Sequence, residues 1–288
     1  GVLQRWFVRR RGFATGLAVA GIGVGTLLAP PFSRFLVETL GWRETFQVLA
    51  ALTLVLGLLA AWMLHPSPAA RGLYPDGDAT AVGEGASLSG LALGASLSSR
   101  PFVLMFTAST IVSLSLFVPF VHLVKFSVDH GHDESWSILL ISLIGVGSMF
   151  GRLTLGGVAD RYGRYHAVVV MYLGMALVQA WWFLSTDFWA LALYAVLFGL
   201  SYGGYVALAP ALIADYFGAK NVGGILGVLY SGTALGILIG PVVAGFAFDL
   251  TGDYALPIAV SASAAFLALA VILMAPSPER WRKSQSTT

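Results

Sequence analysis

Cysteine is absent from the chain, and charge is scarce: 16 Lys and Arg with 14 Asp and Glu make up 10% of 288 residues. The missing cysteines exclude disulfide frameworks, thiolate metal sites and thiol nucleophiles. Soluble domains carry about 25% charged residues, so this chain lacks the polar surface that would coat a water-soluble globule of its size. A formal net charge of +2, with no basic stripe along one face, is too small for a nucleic-acid binder. Asparagine occurs once, at Asn221. No secretory signal is legible at the start, and the first residue is Gly1 rather than Met.

What is abundant is apolar. Hydrophobic residues make up 57% of the chain and the mean hydropathy is +0.82, which excludes disorder and points to a polytopic membrane protein. A membrane-crossing helix needs roughly 20 apolar residues. Windows of that kind fall at Phe13–Val37, Thr45–Leu64, Phe102–Phe126, Trp136–Val158, Ala167–Ser185, Phe188–Ala214, Val222–Phe248 and Ala255–Ala275. They do not alternate and far exceed the roughly 9–11 residues of a barrel strand, so the expected fold is all-α with eight transmembrane helices. Between the second and third runs, His65 to Arg100 carries Pro66, Pro68, Pro75, several Gly and Ser, and Asp76, Asp78 and Glu84. That composition reads as a linker. The expected organisation is two helices in 1–64, a linker in 65–100, six helices in 101–275 and a tail in 276–288.

Basic residues set the expected orientation. With the start in the cytoplasm, that side collects Arg5, Arg9, Arg10, Arg11, Arg71, Arg100, Arg161, Arg164, Lys220, Arg280, Arg282 and Lys283, while the opposite loops hold only Arg43. The asymmetry predicts cytoplasmic termini and a cytoplasmic linker.

The first and seventh runs align without a gap. Gly16/Gly227, Gly21/Gly232, Gly25/Gly236, Leu27/Leu238, Pro30/Pro241, Phe35/Phe246 and Gly41/Gly252 pair identically. Parallel repeats of this kind mark transporters built from two similar halves. The later copy is the fifth of six spans after the linker, so its mate is expected to be the fifth of an earlier six. That predicts four further helices upstream, a twelve-span protein, and no transport by the 288-residue chain alone.

Three stretches resemble the major facilitator superfamily, in particular its monocarboxylate transporter and oxalate/formate antiporter branch. They are Trp6-Phe7-Val8-Arg9-Arg10-Arg11-Gly12-Phe13-Ala14-Thr15-Gly16 with Ala18, Ala20, Gly21 and Gly25; the loop Gly156-Gly157-Val158-Ala159-Asp160-Arg161-Tyr162-Gly163-Arg164; and Val121-His122-Leu123 with Asp129 and Arg152. The resemblance implies a secondary transporter of a small organic anion, a monocarboxylate with proton coupling, working by alternating access. It places a substrate-binding arginine at Arg152 and suggests Asp129 as a coupling site.

The residues support that reading in their own terms. An arginine inside a span is costly unless it faces a wet cavity or a partner, and its planar fork suits a carboxylate. Snorkelling to the interface is the competing account of Arg152. His122, Lys125 and Asp129 share one helical stripe, a cavity lining on which His122 and Asp129 can each take up a proton; equally, Lys125 and Asp129 can simply mark the membrane surface. Gly156, Asp160, Arg161, Gly163 and Arg164 read as a conformational latch, with positive-inside anchoring as the plainer alternative for the two arginines. Tyr202, Tyr205 and Tyr230 are candidate hydroxyl donors to substrate or core aromatics. Two positions depart from the family pattern: Ser148 stands where animal-type members carry an acid, and Thr233 where oxalate-type antiporters carry a lysine. One cavity cation favours a monoanion over a dicarboxylate.

Other patterns are decoys. Gly199-Leu200-Ser201-Tyr202-Gly203 matches a hydrolase nucleophile elbow, but that motif needs a preceding strand. Gly21-Ile22-Gly23-Val24-Gly25 lacks the spacing and strand of a dinucleotide loop. His130-Gly131-His132-Asp133 reads as solvated loop rather than a metal site. No enzyme activity, cofactor or metal is expected; the expected partners are a small organic anion, protons and the lipid bilayer, around a monomer. Glycines at four-residue spacing, Gly147/Gly151, Gly199/Gly203 and Gly232/Gly236/Gly240, read as close helix contacts. The rivals are a drug or sugar facilitator on the same fold and a non-transporting membrane sensor.

Overall fold

The computed structural model describes residues 6–7, 11–65, 68–74, 90–218 and 220–286. Within them the side chains of 11–16, 69–70, 156, 160 and 285–286 lie outside the description. Most of the described chain is helical. The long helices are α1 (Arg11–Leu40) and α2 (Trp42–Met63), followed by a 3-10 turn at Pro68–Arg71 and the short α3 (Leu93–Leu97). Then come α4 (Arg100–Leu116), α5 (Val118–Asp129), α6 (Glu134–Tyr162), α7 (Arg164–Leu184), α8 (Phe188–Phe217), α9 (Val222–Thr251), α10 (Ala255–Leu273) and α11 (Pro278–Ser286).

Among the described residues eight spans are long and apolar enough to cross a membrane, one for each predicted run. The third holds a surprise. Arg100–Asp129 is one span but two helices, parted at Phe117 (φ −97°, ψ −5°). Pro119 accounts for the break, because it offers no N–H to the carbonyl of Ser115 four residues back. Of the predicted linker, 66–67 and 75–89 lie outside the described residues. Its far end is docked: Leu91 donates its N–H to the Phe217 carbonyl at 2.9 Å, and Asn221 Nδ2 donates to the Leu91 carbonyl at 2.8 Å.

Helix ends follow local chemistry. Asp133 caps α6 by accepting from the N–H groups of Ser135 and Trp136, and Asp187 caps α8 in the same way through Trp189 and Ala190. Between α6 and α7 the chain reverses on Gly163 alone, at φ +90°, a conformation that side-chain-bearing residues rarely adopt.

Packing rests on small residues. α6 lies against α8 on one flank and α1 on the other, while α4 packs on α9 and α10, and α7 on α8 and α10. A Cβ at Gly147 or Gly151 would strike the carbonyls of Val196 or Leu200, and one at Gly199 or Gly203 those of Ile144 or Ser148. Gly232, Gly236 and Gly240 admit α4 as closely, against Thr110 and Leu114. All three glycine sets predicted as close contacts therefore meet a neighbouring helix, which side chains larger than hydrogen would hold apart. α2 by contrast buries only Thr45.

Candidate functional site

Arg152 sits in the interior of α6. That helix runs to Tyr162, so the arginine lies ten residues from its end, about 15 Å at 1.5 Å per residue. It is 2% exposed, and it is the only charged side chain among the described residues that is buried. This depth and enclosure disfavour the snorkelling account.

Its guanidinium has a definite set of neighbours. Nη1 donates to the Ser148 hydroxyl one turn earlier, and the guanidinium carbon stands 5.5 Å from the centre of the Tyr202 ring. Nε and Nη2 are buried and make no hydrogen bond of good geometry among the described residues, although the Tyr202 side chain lies close enough to interact with the guanidinium. Those two nitrogens form one edge of the planar group, with parallel N–H bonds of the geometry that takes both oxygens of a carboxylate. Ser148, the departure from the animal-type pattern, is thus what holds the opposite side of the arginine.

The three predicted tyrosines gather on the same side of the bundle. Tyr202 ends a ladder of rings along α8, stacked on Phe198 at 6.5 Å, which stacks on Tyr194 at 5.8 Å. Tyr205 is 6% exposed, and its hydroxyl shares a 2.7 Å hydrogen bond with Ser109, which shares another of 2.9 Å with Thr233. Tyr230, on α9, lies within electrostatic reach of both Tyr202 and Tyr205. Arg152, Tyr202, Tyr205 and Tyr230 are therefore brought together from α6, α8 and α9, with Ser109 of α4 and Thr233 of α9 as additional hydroxyls. Spacing alone did not point to Ser109, since its partners lie 96 and 124 residues away.

The predicted coupling residues divide. His122 is partly buried on α5, where its Nε2 meets the Pro241 carbonyl of α9 at 3.1 Å and its ring lies edge-on to Tyr254. Burial pushes the Tyr254 phenol up to about 12, the Asp129 carboxylate adding to the shift, so that neighbour stays neutral. Asp129 pairs with Lys125 one turn away, and both are substantially exposed.

The latch residues are placed as follows. Asp160 and Arg161 fall in the last turn of α6 rather than in a loop; the side chains at 156 and 160 lie outside the described residues. Arg161 is exposed, Gly163 makes the turn, and Arg164 opens α7. Arg164 Nη1 donates to Asp215 Oδ1 at 2.8 Å, an ion pair to the end of α8. The hydrolase-like pentapeptide lies wholly inside α8, which removes the strand a nucleophile elbow requires. No cluster of metal-ligating side chains occurs among the described residues.

A further polar set surrounds Gln179, a mid-span residue for which the linear sequence shows no partner. This side chain is 0% exposed. Its Nε2, with two hydrogens to donate, lies within hydrogen-bonding distance of the Ser115 carbonyl (3.0 Å), the Ser115 hydroxyl (2.8 Å) and the Ser261 hydroxyl (3.0 Å), while its Oε1 accepts from the Tyr194 hydroxyl at 2.8 Å. A mid-span glutamine and Pro119 were the visible signals; neither names the other in a linear reading.

The chain is similar to several known proteins. Monocarboxylate transporter 11 of Mus musculus is 30% identical over 279 residues, covering 91% of this chain and 59% of that protein. Monocarboxylate transporter 11 of Homo sapiens is 31% identical over 280 residues, covering 91% and 56%. The MFS transporter asaE of Aspergillus flavus is 28% identical over 255 residues, covering 88% and 55%. The chain thus spans less than two thirds of the length of these relatives. A crystal structure of FucP, a Major Facilitator Superfamily transporter in the outward conformation, shares the fold, with a TM-score of 0.58, 15% identity and coverage of 93% of this chain and 69% of that one. The sequence model of the Major Facilitator Superfamily matches residues 1–186 and 138–288, so that with eight spans among the described residues the chain is a multi-pass membrane protein and belongs to the Major Facilitator Superfamily.

Proposed function

We propose that this protein acts in secondary transport of a small organic monoanion, a monocarboxylate held by Arg152, by alternating access. One observation carries the reading: Nε and Nη2 of a buried arginine, the edge suited to a carboxylate, make no hydrogen bond of good geometry among the described residues, with only neutral hydroxyls recorded beside the guanidinium. Burying a guanidinium with two nitrogens unsatisfied is costly, and a bound carboxylate would relieve that cost. The hydroxyls of Tyr202, Tyr205, Tyr230, Ser109 and Thr233 supply neutral donors and acceptors beside it. Because Thr233 replaces the lysine of the oxalate-type pattern, a second carboxylate would meet hydroxyls instead of a cation. The monocarboxylate transporters among the relatives point to the same substrate class.

The proposal extends to proton symport through His122 and Asp129, on the half-helix α5, and to a latch formed by Gly156, Asp160, Arg161, Gly163 and Arg164. It assigns residues 1–64 to one helical half, 65–100 to a cytoplasmic linker, 101–275 to the other half and 276–288 to a cytoplasmic tail. The excess of basic residues on one side supports cytoplasmic termini in a plasma or bacterial inner membrane.

The test is proton-gradient-driven uptake of labelled lactate, pyruvate, formate and oxalate into proteoliposomes holding the complete gene product. Saturable uptake of one monocarboxylate, abolished by Arg152→Ala, is the expected result. A preference for oxalate would overturn the monoanion reading, and uptake of a monocarboxylate unchanged in the variant would overturn the assignment of Arg152.

A further inference from the structure

A second groove lies outside the set of residues around Arg152. It is a cavity of about 410 Å³ between the start of α7 and the α10–α11 turn, lined by Tyr165, His166, Leu273, Glu279, Arg280 and Lys283, with Ala275, Pro276 and Ser277 at its floor. Two tyrosines pin that floor. The Tyr165 hydroxyl donates to the carbonyls of Ile272 and Ala275 at 3.3 and 2.9 Å, and the Tyr216 hydroxyl to that of Pro276 at 2.5 Å. The turn is therefore held in place before anything enters the groove.

Its chemistry changes across a short distance. Arg280, Lys283 and His166 are in its lining, with Glu279 as the one acid. Beside them, at the end of α10, Leu273 and Met274 are 56% and 59% exposed, on a span apolar enough to lie in a bilayer. Basic side chains a few residues beyond an exposed apolar helix end are the pattern expected where a span leaves the hydrocarbon and enters the headgroup layer. Trp281, half-buried against the core, is an interfacial anchor of the type enriched at that depth. Basic side chains at that level attract phosphate, and the neighbouring leucine and methionine offer acyl chains a surface.

We propose that this groove binds the headgroup of an anionic phospholipid, the phosphate lying among Arg280, Lys283 and His166 and the acyl chains along Leu273 and Met274. The shared chemistry is a phosphate ester, and the apolar flank selects the lipid over a free phosphate. Arg282 projects from the same helix into a different groove, beside Asp215, Phe217 and Trp281, and serves as the control position.

The experiment titrates the delipidated 288-residue chain with dioctanoyl phosphatidylglycerol, phosphatidylethanolamine or phosphatidylcholine, and separately with glycerol phosphate, reading bound ligand by native mass spectrometry. Phosphatidylglycerol is expected to bind at least fivefold more tightly than either zwitterionic lipid. Arg280→Gln and Lys283→Gln should each weaken it roughly fivefold, His166→Gln should weaken it as well, and Arg282→Gln should leave it unchanged. Thermal unfolding in parallel shows whether each variant is folded, and any one folded variant suffices for the comparison. Equal retention of the three lipids, indifference to Arg280→Gln and Lys283→Gln, or glycerol phosphate binding as tightly as phosphatidylglycerol would each overturn the proposal.

Discussion

Gln179 Nε2 reaches the carbonyl of Ser115 at 3.0 Å, an acceptor that Pro119 deprives of its helical donor. A break in a membrane-crossing helix is tolerated where another group satisfies the freed backbone, and a side chain from α7 does so here. The same glutamine accepts from Tyr194, the first ring of the ladder that ends at Tyr202 beneath Arg152. The bend in the third span and the candidate binding arginine thus belong to one continuous set of contacts across α4, α7, α8 and α6.

Gln179→Leu should therefore destabilise the fold. It leaves the Tyr194 hydroxyl without its acceptor in the interior and the Ser115 carbonyl with only the weaker Ser261 hydroxyl and Phe117 N–H contacts, at a combined cost of about 1–3 kcal/mol. Denaturant titration of the purified chain in detergent measures this; unchanged stability would show that the break is held by other contacts.

Arg152→Lys should weaken carboxylate binding at least tenfold even though the charge is kept. A lysine ammonium is a point charge without the parallel N–H pair, and an affinity change of that size corresponds to about 1.4 kcal/mol. Equilibrium binding of a labelled monocarboxylate decides the matter. Equal affinity in the variant would mean that charge alone, and not the free guanidinium edge, holds the ligand.

Glycines on the α6–α8 seam should be intolerant where neighbouring glycines are not. Gly203→Ala drives a methyl into the Ser148 backbone and should cost about 1–3 kcal/mol through overpacking, with loss of folded yield. Gly157 has nothing within 4 Å of an added Cβ, so Gly157→Ala should fold as well as the parent. The pair is compared by monodispersity and thermal unfolding in detergent.

The Arg164–Asp215 pair joins α7 to α8 with side chains 36% and 28% exposed. Solvent and salt screen such a pair, so Asp215→Asn should lower stability by less than about 1 kcal/mol. Any effect on transport is expected to be larger than that figure would suggest, since a small bias shifts a two-state equilibrium directly. Uptake rate measured beside unfolding free energy separates the two roles; a strictly proportional loss of both would remove the pair from the latch.

Much of this architecture is legible in the residues, and the reasons are local. Eight apolar runs identify eight spans because hydrocarbon admits only segments whose backbone groups are satisfied internally. The Asp160–Arg164 stretch is legible as a turn because charged residues there interrupt two apolar runs, and the structure makes that turn on Gly163. Arg152 stands out because a charge inside a span is rare and costly. The break at Phe117 was not legible, since proline is common in membrane helices and leaves many of them continuous. Gln179 was visible but mute, because its partners at Ser115 and Ser261 lie 64 and 82 residues away.

By itself, then, the sequence determined the class of protein, the eight spans found among the described residues, a turn in the Asp160–Arg164 stretch and the arginine most worth attention. Each of these follows from hydropathy, backbone freedom or the cost of burying charge, properties that a residue carries wherever the chain places it. The tertiary structure alone decided that Ser148 occupies one nitrogen of Arg152 while Nε and Nη2 make no hydrogen bond of good geometry among the described residues, that Ser109 and Thr233 join the tyrosines, and that a glutamine on α7 completes a helix broken on the other side of the bundle. Those are relations between groups far apart along the chain, and a hydrogen bond exists only when packing brings its two ends within about 3 Å.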